Sequence, residues 1–237
     1  MGRFLVLLAT AALIAPLAAA AGTYTLHPSG FGDHSYSAWK AGEGLVDSGG
    51  AANQALYFQK MVPTATFAAG VAVINGFEGQ DTSSVLPLGF WYGTDGHCGA
   101  GAPRFNVRIQ PPMTTDPALR QTFFVGCAEM VDGGSATAPN GRVFQQKSFL
   151  GTLPPGTIAS LSIVFDEGND IPNPPPADCA QTAMAGGFVY LDNIEVGGHT
   201  WMSASDNGNG QTITQDPTGE DFVSALLGEP LSVAFPR

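Results

Sequence analysis

Arg104-Phe105-Asn106-Val107-Arg108-Ile109-Gln110 alternates polar and apolar side chains without a break. A period of two belongs to a β-strand, whose successive side chains point to opposite faces. Phe105, Val107 and Ile109 are therefore expected in a core, with Arg104, Asn106, Arg108 and Gln110 on the other face. Pro111 and Pro112 end the strand, because proline has no N–H for the ladder. Thr122 to Ala128 is the next apolar run and reads as the strand that returns.

Working outward, Cys98 precedes the first of these strands and Cys127 closes the second. A hairpin brings both to its base, so a Cys98–Cys127 disulfide is expected, with Cys179 left as a free thiol. Closing such a loop contributes about 3–4 kcal/mol on the chain-entropy account. Disulfides need an oxidising compartment, and the N-terminus suggests the route to one. Arg3, the apolar run from Leu5, the break at Pro16 and the small residues up to Ala21 compose a signal peptide over residues 1–21. Its interruption and the polar Thr23 just after it argue against a membrane helix, and no later run is long and apolar enough to span a bilayer. The chain is read as secreted, extracellular and without a membrane span.

Composition narrows the partners. There are 9 Lys and Arg against 20 Asp and Glu, a net charge of −11. Only Arg3 of the basic residues lies in the leader. An acidic surface of this kind repels phosphate backbones, which excludes nucleic acid as the expected partner. The low share of charged residues, 12%, with 31 Gly and 18 Pro, reads as sheet and turns, and 44% hydrophobic residues are enough for a core.

Helical periodicity is nearly absent. Further strands are expected at Gly44–Asp47, Gln54–Gln59, Val71–Ile74, Val85–Tyr92, Val143–Leu150, Ser160–Asp166 and Phe188–Val196, which makes an antiparallel all-β sandwich or barrel of about eight to ten strands. In Val85–Tyr92, residues Leu86, Leu88, Phe90 and Tyr92 share one face and Trp91 the other. In the last strand Val189 and Leu191 have one parity and Ile194 and Val196 the other, so a bulge is expected at Asp192–Asn193. Residues 22–203 form one domain. Residues 204–237 form a C-terminal loop and tail, with one short helix expected over Asp221–Leu227.

Phe188-Val-Tyr-Leu-Asp-Asn-Ile-Glu-Val196 resembles the closing strand of galactose-binding-like jelly rolls, a group that includes many carbohydrate-binding modules. Ser37-Ala-Trp-Lys40, followed by Ala55-Leu-Tyr-Phe58, resembles their opening. The likeness spans roughly residues 36–196 and rests on short motifs. It implies a jelly-roll β-sandwich, glycan binding and, in several such modules, a structural calcium held by an acidic residue of the closing strand. Only Asp192 matches that position, with Asp33, Glu43 and Asp47 as the acids that the analogy would add. The segment Gly96-His-Cys-Gly-Ala-Gly-Ala-Pro103 is not part of the general pattern.

Three constellations could carry chemistry. The outward row Arg104, Asn106 and Arg108 offers planar polar groups for sugar hydroxyls. If the Trp91 strand is its sheet neighbour, the indole stands beside that row as a stacking platform. Asp95, His97 and Cys98 could make a base or a nucleophile, but a disulfide would consume Cys98. Glu78 with Asp81, and Asp166 with Glu167, are the available acid pairs, and neither sits in a glycosidase signature. There is no H-E-x-x-H or G-x-S-x-G. The expected function is non-catalytic binding of a glycan or surface polymer. The alternatives are a structural or adhesive extracellular protein without a small ligand, and a divergent polysaccharide hydrolase or lyase on the same fold.

Overall fold

A computed structural model describes residues 23–32, 34–47, 52–60, 62, 67–99, 101–166 and 187–207. The expected signal peptide, Asp33, Cys179 and the short helix over 221–227 lie outside the described residues.

Among the described residues, twelve strands form two antiparallel sheets: β1 (Thr25–Phe31), β2 (Ser35–Lys40), β3 (Ala55–Lys60), β4 (Ala69–Asn75), β5 (Leu88–Gly93), β6 (Arg104–Gln110), β7 (Gln121–Gly126), β8 (Val131–Thr137), β9 (Val143–Phe149), β10 (Thr157–Phe165), β11 (Phe188–Val196) and β12 (His199–Trp201). A five-stranded sheet runs β1-β4-β10-β6-β7, and a seven-stranded sheet runs β2-β3-β11-β5-β9-β8 with β12 also on β11. The protein is a β-sandwich.

The alternation in β6 sorts its residues as expected: Phe105 and Val107 are fully buried and Ile109 nearly so, while Arg104, Asn106 and Arg108 are partly exposed. Facing them across the core are Leu56, Phe58, Leu88, Phe90, Val189 and Leu191 of the other sheet. Burying each such side chain contributes roughly 1.5–3 kcal/mol before the entropy of ordering is counted. The β6–β7 hairpin forms with Arg104 opposite Gly126 and Ile109 opposite Gln121. Its base places Cys98 and Cys127 at disulfide distance, with Cα atoms 5.7 Å apart.

The closing strand carries the expected irregularity. Asp192 pairs with Trp91 and Glu195 with Gly89, so β11 holds one more residue than β5 across the interval. Asn193 takes the extra turn at φ 42°, a left-handed conformation that asparagine tolerates better than most residues. The bulge lets Val189, Leu191, Ile194 and Val196 all reach the core despite their change of parity.

Several elements differ from the sequence reading, among them these three. Gly44–Asp47 is a loop, bonded to its other arm by Gly44 N–H to Asn53 C=O at 2.9 Å. β1 contains Pro28 and Gly30, which disguise it; as an edge strand it needs no inward N–H from every residue. β8 contains Gly133 and Gly134, reads as a turn, and is the exposed edge of the larger sheet with a bulge between Asp132 and Ser135. The folded part also extends past residue 203: Asn207 is buried, accepts from Leu26 N–H at 2.7 Å and donates to Leu26 C=O at 2.9 Å.

Candidate functional site

The outer face of the five-stranded sheet carries a shallow trough of about 350 Å³ lined by Arg104, Asn106, Arg108, Arg120, Thr122, Phe124, Ser160 and Ser162. Strand register builds it. Ser162, Asn106 and Phe124 form one cross-strand row, and Ser160, Arg108 and Thr122 the next. Arg104 and Arg108 lie four residues apart on one face of β6, about 14 Å along the strand.

Arg104 is firmly held. Its two terminal nitrogens donate to Asp166 Oδ1 and Oδ2 at 2.5 and 2.7 Å, Nη1 also donates to Gly101 C=O, and Nε donates to Asn106 Oδ1 at 3.1 Å. A fork of this kind fixes the guanidinium plane. That plane lies 5.2 Å from the centroid of Phe124, a ring left 52% exposed at the trough. At the other end, Arg120 donates from Nε to Gln110 Oε1 at 3.0 Å. The arrangement presents an aromatic face, hydroxyls, an amide and guanidinium groups on one rigid surface, the kinds of group that hold saccharides.

Trp91 is not part of this surface. β5 lies between β11 and β9, whereas β6 lies between β10 and β7 in the other sheet. Phe90 and Phe105 meet across the core, ring centroids 5.9 Å apart. Their neighbours Trp91 and Arg104 therefore point away from each other, on opposite outer faces of the sandwich. Trp91 is half-buried against Leu45, Ala55, Ala138 and Phe144. The expectation that it stands beside the polar row is corrected: the strand parity was right, but the two strands belong to different sheets.

Sequence reasoning missed Arg120, Thr122, Phe124, Ser160 and Ser162. Thr122 and Phe124 were within reach, because the hairpin pairing places their parity beside Arg108 and Asn106. The serines come from β10, whose pairing with β6 is remote in sequence.

Asp192 is fully buried. Its Oδ2 accepts from Leu45 N–H at 2.7 Å and its Oδ1 from Asn193 N–H at 2.6 Å. Burial pushes its pKa up to about 7, although both N–H bonds pull it down. Of the acids expected beside it, Asp47 accepts from Gln54 N–H at 3.0 Å and acts on Asp192 through its charge, while Glu43 pairs with Arg142 at 2.9 Å. Among the described residues, no group of three or more His, Cys, Asp or Glu side chains is placed to hold a metal ion. Calcium takes six to eight oxygens, backbone carbonyls included, and Asp33 of the expected acids lies outside the described residues. Asp192 ties the loop at Leu45 to the bulge.

Of the catalytic candidates, Asp95 and Cys98 have partners. Asp95 and Glu43 both pair with Arg142, whose guanidinium lies 3.8 Å from the Tyr190 ring centroid. His97 sits edge-on to Phe165, ring centroids 6.0 Å apart. Cys98 is beside Cys127. Among the described residues, no helix is long and apolar enough to cross a membrane.

No protein-family model, no curated protein and no solved structure matches this chain.

Proposed function

We propose that the protein is a secreted, non-catalytic β-sandwich that binds a glycan or surface polymer in the trough on its five-stranded sheet. The observation that carries the reading is the trough itself: Phe124 exposed at 52% in register with Asn106, with arginines and hydroxyls around it on three paired strands. The exposed Phe124 ring beside the clamped Arg104 guanidinium offers a stacking face for a sugar ring. Secretion is supported by the N-terminal sequence and by the disulfide-distance pair. The jelly-roll form of the sandwich belongs to the same proposal, supported by the way successive strands pass from sheet to sheet.

Stacking on one ring with a few hydrogen bonds gives dissociation constants of about micromolar to millimolar. The test is a glycan-array screen followed by calorimetry on the wild type, Phe124→Ala and Asn106→Ala. Affinity falling by about tenfold in either variant, with the fold intact, supports the reading. Unchanged affinity places the site elsewhere. Release of new sugar ends from any polysaccharide replaces it with the hydrolase or lyase alternative, and absence of binding and turnover leaves a structural or adhesive role.

A further inference from the structure

We infer that this trough selects an acidic oligosaccharide, one whose rings carry carboxylate or sulfate groups; the inference rests on the trough being a glycan site. The chain has 9 Lys and Arg in all, and Arg104, Arg108 and Arg120 line this one depression. The protein as a whole carries −11. No carboxylate lines the trough among the described residues. With Arg104 neutralised by Asp166, Arg108 and Arg120 set a local field opposite in sign to the net charge of the molecule.

The arginines divide into two roles. Arg104 neutralises Asp166 and holds the Phe124 ring, so it is a positioning residue. Arg108 lies in the next row along β6, between Ser160 and Thr122, and Arg120 follows at the Gln110 end. The order along the trough is thus a stacking and amide centre, Phe124 with Asn106 and Ser162, then a cationic end. A sugar seated over Phe124 directs its neighbour toward Arg108 and Arg120. Guanidinium groups present paired N–H donors that match the two oxygens of a carboxylate or sulfate. A neutral hydroxyl uses that geometry poorly. A long polyanion such as nucleic acid would extend beyond the trough over an acidic surface, whereas a short acidic saccharide would not.

The experiment is calorimetry on the full secreted chain with four probes: a uronate oligosaccharide, its carboxyl-reduced form, a sulfated oligosaccharide and its desulfated form. Single-stranded DNA is the control. The expected result is binding of one acidic probe at least about tenfold more tightly than its neutral counterpart. The probe pair that shows the difference tells carboxylate from sulfate. In Arg108→Gln/Arg120→Gln the acidic-to-neutral ratio should collapse toward one, and Arg120→Gln alone serves if the double variant does not fold. Equal binding of acidic and neutral forms overturns acid selection and leaves the glycan site standing. Binding of no saccharide removes the site as well. DNA binding as tight as that of the acidic probe overturns the inference in favour of unspecific ion pairing.

Discussion

Burial of Asp192 makes stability depend on pH in a direction opposite to ordinary acid denaturation. Its carboxyl is wholly shielded from solvent, and burial raises its pKa from 3.8 to about 7, with the charges of Asp47 and Asp206 adding to the rise. The folded state therefore binds the proton more tightly than the unfolded chain. The favourable contribution is complete below 3.8 and is lost as pH climbs through about 7. The gap between those values, at about 1.4 kcal/mol per pH unit, amounts to about 4 kcal/mol. Asp47 is also raised, chiefly by burial, and acts with the same sign. His27 and His199 are lowered by burial, so their contribution runs the other way, lost as pH falls. Total stability thus mixes signs, and only a difference isolates Asp192. Urea denaturation of the wild type and Asp192→Asn at about pH 5 and about pH 8.5 supplies it. Between these conditions the wild type should lose about 2–4 kcal/mol more than the variant. Equal pH dependence in the two proteins would refute the assignment of a buried, titrating carboxyl at the bulge.

Four further outcomes are expected. Val107→Asp should leave the chain unfolded, because Val107 is fully buried and the aspartate would have no partner there; a soluble variant with unchanged circular dichroism would contradict the β6 register. Cys98→Ser/Cys127→Ser should lower stability by about 3 kcal/mol and abolish any effect of reductant on the denaturation midpoint. Gly44→Ala should cost about 1–3 kcal/mol, since its Cβ would fall 2.6 Å from Asp192 Oδ2 and closer still to Gln54 C=O; a thermal melt measures the loss. Trp91→Ala should leave saccharide affinity as in the wild type, and a tenfold fall in calorimetry would move the site to the seven-stranded sheet.

What could be read in the sequence was local. The alternation of β6 assigns Phe105, Val107 and Ile109 to one face because strand geometry alone imposes it. The Cys98–Cys127 pair follows from a hairpin joining neighbouring segments. The parity change at Asp192–Asn193 announces the bulge because four apolar residues must all reach one core. The edge strands β1 and β8 escaped notice because an edge needs neither a continuous ladder nor an apolar run, so proline and glycine survive there.

Sheet membership is not local, and it decided the site. Trp91 and Arg104 each point outward from a strand, as their parity requires, yet they stand on opposite faces because β5 and β6 pair with different partners. The same long-range pairing brings Ser160 and Ser162 beside β6, sets Asp166 against Arg104, and folds the loop at Leu45 over Asp192. Side-chain direction follows from the pleat of one strand, which a few residues determine. Which strands lie side by side depends on how the whole chain buries its apolar faces, and only the tertiary structure records that outcome.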